Sequence, residues 1–160
     1  MNRSVQAIKQ FSQTYDLDEL SFNEDNYFCL ILEEKYRLHF QMNDDKDYLT
    51  VFSEVINLQG YKEYQIFKTL LQANYFGMET NQFHFGLSPT NEHLILFKRF
   101  HDELIDFDAL SLIIESLVEA IEYWFKKLTE EEQITSSSTS TSITSSRPER
   151  FNVMQASNRI

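Results

Sequence analysis

The sequence predicts an α+β fold, an antiparallel sheet of about five strands with three helices in the order α-β-β-β-α-β-β-α. Three observations predict it. Apolar residues step by three and four in three segments, they alternate strictly with polar residues in another, and clusters of turn-forming residues cut the chain into pieces of helix or strand length.

In residues 2–15, Val5, Ile8, Phe11 and Tyr15 recur at helical spacing and predict a short amphipathic helix. Residues 27–33 are almost wholly apolar. Residues 36–42 then place Tyr36, Leu38, Phe40 and Met42 on one face and Arg37, His39 and Gln41 on the other, so two strands flank a tight turn at Glu33, Glu34 and Lys35. The polar knot Asn43-Asp44-Asp45-Lys46-Asp47 turns the chain into a third strand over 48–56, completing a meander. Residues 61–73 carry an unusually wide apolar stripe, with Tyr64, Phe67 and Leu71 on one side and Ile66, Leu70 and Ala73 on the next. Asn74 or Gly77 ends that helix, and residues 82–87 and 93–100 form a hairpin around Pro89 and Asn91. In the last helix Phe107, Leu110, Ile114, Leu117, Ile121, Trp124 and Leu128 follow one another at steps of three and four, with Asp106 as N-cap and fraying expected at Glu130, Glu131 and Glu132.

The domain is therefore expected over 1–132. The rest, 133–160, includes TSSSTSTSITSS and reads as a disordered Ser/Thr-rich tail, with docking through its last residues as the alternative. An apolar content of 42% excludes a disordered protein, and no apolar run reaches the length of a membrane span. No secretion signal is visible, and the single Cys29 in an apolar run fits a reducing cytoplasm. Net charge is −11; the tail holds Arg147, Arg150, Arg159 and Glu149, net +2, which leaves −13 on the body. Such a field repels phosphate backbones and anionic lipid, so neither nucleic acid nor membrane is expected as a partner.

Catalytic patterns are missing from the sequence. His39, His84, His93 and His101 have no zinc-type spacing, no nucleophile elbow is present, and Gly77 and Gly86 stand too far apart for a dinucleotide fingerprint. No enzyme, metal or cofactor is expected. The alternative is a small α/β ligand-binding domain or enzyme using the region of His84, His93 and His101. What stands out is surplus apolar surface: Phe28, Leu30 and Leu32 oppose Tyr27, Cys29 and Ile31, so both faces of the sheet need covers that three helices do not obviously supply.

The element order, together with LLQANYFG (70–77), FHFGLSPTNEHLILFKRF (83–100) and a long helix containing Glu122-Tyr123-Trp124, resembles the class I chaperones of bacterial type III secretion, the Tir chaperone or CesT-like family. The likeness spans residues 1–128 and rests on motif order. It implies a cytoplasmic bacterial homodimer that binds the extended N-terminal region of a secreted effector and keeps it soluble and export-competent without hydrolysing ATP. It also implies a dimer interface on the middle helix and following strand, here Tyr64, Phe67, Leu70, Leu71, Phe83 and Phe85. Client contacts are implied on the first helix and sheet, here Val5, Ile8, Phe11, Phe28, Leu30, Leu38 and Phe40. The tail is not part of the common pattern, and a structural adaptor docking through it is a third possibility.

Overall fold

Strict alternation in a strand gives a sheet one oily face, and that face here collects every helix the core needs. The computed structural model describes residues 2–17, 20–59, 63–88 and 92–137. Helix α1 (Arg3–Thr14) precedes a meander of β1 (Tyr27–Leu32), β2 (Tyr36–Met42) and β3 (Tyr48–Asn57). Helix α2 (Glu63–Ala73), a 3₁₀ turn (Tyr75–Gly77), β4 (His84–Leu87), β5 (His93–His101), a second 3₁₀ turn (Asp102–Leu104) and α3 (Phe107–Ser137) follow. The predicted fold class and element order are those observed.

All five strands pair antiparallel in the order β1-β2-β3-β5-β4. Register aligns the oily positions into rows, Phe28 opposite Phe40 opposite Val51, and Met42 opposite Leu49. Over this face lie Ala7, Ile8 and Phe11 of α1 and Leu110, Ile114, Leu117, Ile121, Trp124 and Leu128 of α3, all buried in one cluster. Each large side chain so buried contributes about 1.5–3 kcal/mol, which is why the wide stripe of α3 outweighs its run of exposed carboxylates. Helices α1 and α3 pack on each other as well as on the sheet, so α1 is not available to cover the opposite face.

No described helix lies over the opposite face. A band crosses it from Tyr27 and Cys29 through His39, Phe52 and Phe97 to His84, because these positions are cross-strand neighbours. Cys29 lies half-buried in this band beside His39, since its parity is opposite to that of Phe28 and Leu30. Gly86 has a packing reason: a Cβ there would stand 3.2 Å from the Phe97 ring and 3.3 Å from Ile95.

Two boundaries differ from expectation. β4 begins at His84 rather than at residue 82, because Asn81 and Gln82 are both left-handed (φ 50 and 68) and belong to a hydrogen-bonded turn. Helix α3 does not fray at Glu130 but continues to Ser137; Glu130, Glu131, Glu132 and Gln133 are good helix formers, whereas Ile134, Thr135, Ser136 and Ser137 are not. Five residues assigned to the tail are thus helical, and residues 138–160 lie outside the described part. The capping expectation agrees with the structure: Asp106 Oδ1 accepts the Ala109 N–H at 2.9 Å.

Candidate functional site

Two of the apolar surfaces left among the described residues lie where the sequence places partner contacts. The first is on α2, which has too wide a stripe for one partner surface: Ile66, Leu70 and Ala73 turn inward, Phe67 is half-buried, and Leu71 is 70% exposed. The chain then continues into Tyr75, Phe76 and Met78, exposed by 70%, 76% and 83%. Phe67, Lys68, Leu71, Gln72 and Tyr75 line a shallow groove of about 440 Å³ along this helix. Of the residues assigned to a dimer interface, Phe67 and Leu71 lie on this surface. Leu70, Phe83 and Phe85 are buried behind it, Phe85 edge-on against Trp124 at 4.8 Å. The side chain of Tyr64 is outside the described set. Sequence reasoning missed Tyr75, Phe76 and Met78, although three large apolar residues just past the end of a helical stripe were a usable signal.

The second surface is a groove of about 460 Å³ between α1, residues 20–22 and the end of β2. Val5, Leu20 and Phe22 are half-buried on its walls, Ile8 and Met42 form its buried floor, and Lys9 and Lys46 stand on its rim. Phe22 is fixed by an edge-on contact with Phe28 at 5.0 Å. β1, whose residues 28 and 30 point into the same core, is an edge strand with no second strand partner among the described residues. Of the residues assigned to client contact, Val5 and Ile8 line this groove, whereas Phe11, Phe28, Leu30, Leu38 and Phe40 are buried beneath α1 and α3.

The polar groups elsewhere pair locally rather than converge on one point, His93 Nδ1 lying 2.6 Å from Glu54 while the buried His101 Nδ1 has no hydrogen-bond partner among the described residues. Tyr27 and His39 share a hydrogen bond of 2.7 Å between the hydroxyl and Nδ1. Burial is the main cause that lowers the His39 pKa, with Arg37 acting the same way and Glu54 opposing. A cleft of about 480 Å³ at the end of the sheet is lined by Lys35, Tyr36, Arg37, Glu54, Ile121 and Glu122 among others. There the Tyr36 hydroxyl donates to Glu122, the chief reason for that carboxyl's lowered pKa, and Lys35 lies 3.4 Å from the same oxygen.

The histidine-centred alternative loses its geometry. His93 and His101 occupy opposite ends of β5, about 27 Å apart by strand rise, and His84 sits opposite Phe97 between them. Among the described residues no group of three or more His, Cys, Asp or Glu side chains is placed to hold a metal, and no helix is long and apolar enough to cross a membrane.

Solved structures with the same architecture include a chain of the ExsC–ExsE complex, with a TM-score of 0.69 at 17% identity, covering 79% of this chain and 96% of the matched one. A chain of the HopA1–SchA chaperone–effector complex matches with 0.65 at 14% identity, over 76% and 91%. A chain of the Yersinia pestis complex of the type III secretion chaperone SycH with a fragment of YscM2 matches with 0.60 at 18% identity, over 75% and 98%. At such identities the likeness is one of fold. No curated protein sequence matches the chain. The sequence profile of the Tir chaperone protein (CesT) family matches residues 6–125, three quarters of the chain and nearly all of its described core. The chain belongs to the Tir chaperone protein (CesT) family, a family of chaperones rather than enzymes.

Proposed function

We propose that this protein is a dimeric, cytoplasmic bacterial chaperone that binds the extended N-terminal region of a type III secreted effector and keeps it soluble and export-competent. The observation that carries the reading is the α1 groove lying beside the free edge of β1. An extended client segment can pair its backbone with the edge strand while its apolar side chains enter the groove between Val5, Leu20 and Phe22. The buried members of the client list act from beneath, since Phe28 fixes Phe22 and Ile8 forms the floor. Such binding needs no cofactor and no nucleotide hydrolysis. Family membership supports the chaperone role, and chains of this fold occur in the HopA1–SchA chaperone–effector complex and in the complex of the type III secretion chaperone SycH with a fragment of YscM2.

The dimer is assigned to the α2 surface through Phe67 and Leu71, with Leu70, Phe83 and Phe85 supporting it from within. Phe67→Asp and Leu71→Asp are each expected to yield monomers, because a carboxylate buried at such a contact is costly.

Co-purification of N-terminal and C-terminal fragments of effectors secreted by the same cell tests client binding. The N-terminal fragments are expected to be retained and kept soluble, and Val5→Asp to abolish retention with an unchanged circular dichroism spectrum. Retention of neither fragment class, or undiminished retention by Val5→Asp, would count against the groove.

A further inference from the structure

The segment joining α2 to β4 is held firmly, yet it turns three apolar side chains outward. Phe76 has φ 57 and ψ 11, and Gly77 follows at φ 64. A bulky aromatic residue adopts the left-handed region only where its surroundings impose it. Here they do. The Gly77 N–H donates to the Asn74 carbonyl at 3.3 Å, and the Gly77 carbonyl accepts the Gln82 N–H at 3.0 Å. The Asn74 amide grips the Phe85 backbone through both of its ends, at 2.7 and 3.3 Å. The Trp124 indole N–H reaches the Glu79 carbonyl at 2.9 Å, tying the turn to α3.

The turn is therefore a rigid mount for Tyr75, Phe76 and Met78, and the α2 groove opens directly beside it. One patch thus carries a protrusion and a recess. A twofold contact between identical chains sets a patch against itself, so that the protrusion of each copy meets the recess of the other. Charge favours the same occupant. The body carries −13, but the groove is lined by Lys68 and neutral residues, so two acidic copies approach there with least repulsion. Area agrees as well: Tyr75 and Phe76 at ~150 Å² or more each supply roughly 300 Å² per copy before the exposed Leu71 and Met78 and their polar surroundings are counted, against ~800 Å² per partner in a stable interface.

We propose that Phe76 of each copy inserts into the α2 groove of a second copy, making this turn the anchor of the dimer. The proposal rests on the homodimer reading above and adds to it the pairing of the turn with the groove.

Sedimentation equilibrium on full-length wild type, Phe76→Ala and Leu71→Asp separates the two. The expected result is a dimeric wild type, a monomeric Leu71→Asp, and a dimer dissociation constant raised about tenfold or more in Phe76→Ala, the effect of truncating an interface anchor. Unchanged circular dichroism is expected for Phe76→Ala, whose side chain is mostly in solvent. A Phe76→Ala protein that dimerises as wild type, while Leu71→Asp is monomeric, keeps the homodimer and overturns the anchor. A monomeric wild type overturns the homodimer itself. Loss of effector-fragment binding by Phe76→Ala with the dimer intact makes the turn a client surface and likewise overturns the proposal. In a Cys29→Ser background, a mixture of Phe76→Cys and Lys68→Cys chains is expected to form the mixed disulfide; like-with-like disulfides alone would refute the pairing.

Discussion

Asp102 caps the first turn of α1 through Ser4, 98 residues away: Oδ1 accepts the Ser4 N–H at 3.0 Å and also the Ser4 hydroxyl, while Oδ2 accepts the Arg3 N–H at 2.9 Å. Asn2 occupies the usual capping position and makes no such bond, so a side chain from the turn after β5 does this work. Removing it leaves two backbone donors and a buried hydroxyl without their acceptor. Asp102→Ala is expected to cost about 2–3 kcal/mol, more than an ordinary cap. Ser4→Ala should cost less, since both backbone bonds survive. Urea denaturation followed by circular dichroism measures both; equal midpoints for Asp102→Ala and wild type would refute the role. Because α1 is one wall of the client groove, Asp102→Ala should also weaken effector binding without touching the client.

Gly77 and Phe76 share a left-handed backbone but should respond in opposite ways. A Cβ on Gly77 would stand 2.9 Å from the Gln82 Cα, a backbone atom that cannot swing aside. Gly77→Ala is expected to destabilise the fold by about 1–3 kcal/mol. Phe76→Gly relieves strain, so in a Leu71→Asp background, where dimerisation does not intervene, it should stabilise by roughly 0.5–1 kcal/mol. Thermal unfolding of each variant against its parent decides it, and shifts of the same sign would defeat the argument.

Trp124 is fully buried, donates to the Glu79 carbonyl at 2.9 Å, and lies under the Lys127 ammonium at 4.4 Å from the ring. Trp124→Phe keeps most of the volume but orphans that carbonyl, a loss of about 1–3 kcal/mol, whereas Trp124→Ala should lose about 3–5 kcal/mol. Both are read by circular dichroism, since the chain has no other tryptophan to report by fluorescence. A Phe variant as unstable as the Ala variant would show that the hydrogen bond, not the packing, dominates.

Acid should act first through His39. Its folded-state pKa lies below the ordinary 6.5, chiefly by burial. The unfolded chain therefore takes up this proton at higher pH than the folded one. Its stabilising contribution is complete above about pH 6.5 and declines as pH falls from there through the folded-state value. Glu122, whose pKa is lowered, contributes in a separate window, with stability lost only as pH falls below its ordinary 4.5. His39→Gln is expected to flatten the fall of stability just below about pH 6.5; an unaltered slope there would exclude His39 as its source.

Periodicity made β2 and α3 legible, because every second or every third-to-fourth residue of these elements obeys one environment. At β1 the same alternation separates Phe28 and Leu30, which are buried, from Tyr27, Cys29 and Ile31 on the other face, but an all-apolar run does not say which of the two faces the helices cover. The family resemblance, mapped by element alone, implied client contacts such as Leu38 and Phe40 on the face bearing the most apolar residues. That face attracts the chain's own helices first, so its side chains are the least available. The exposed residues of the α2 surface were only half legible: Leu71 belongs to the helical stripe, but Phe76 points outward through a backbone conformation that no pattern in the sequence signals for phenylalanine.

The groove on α2, free of carboxylates in an acidic body, has a consequence for how the protein behaves in different buffers. Two bodies of the same sign must be pressed together for Phe76 to reach its recess, and the contact itself is apolar. Added salt shortens the reach of the mutual repulsion, to about 8 Å near physiological ionic strength, while leaving apolar contact undiminished. Association should therefore tighten as ionic strength rises, the reverse of an interface held by ion pairs, and dilution into low-salt buffer should release single subunits.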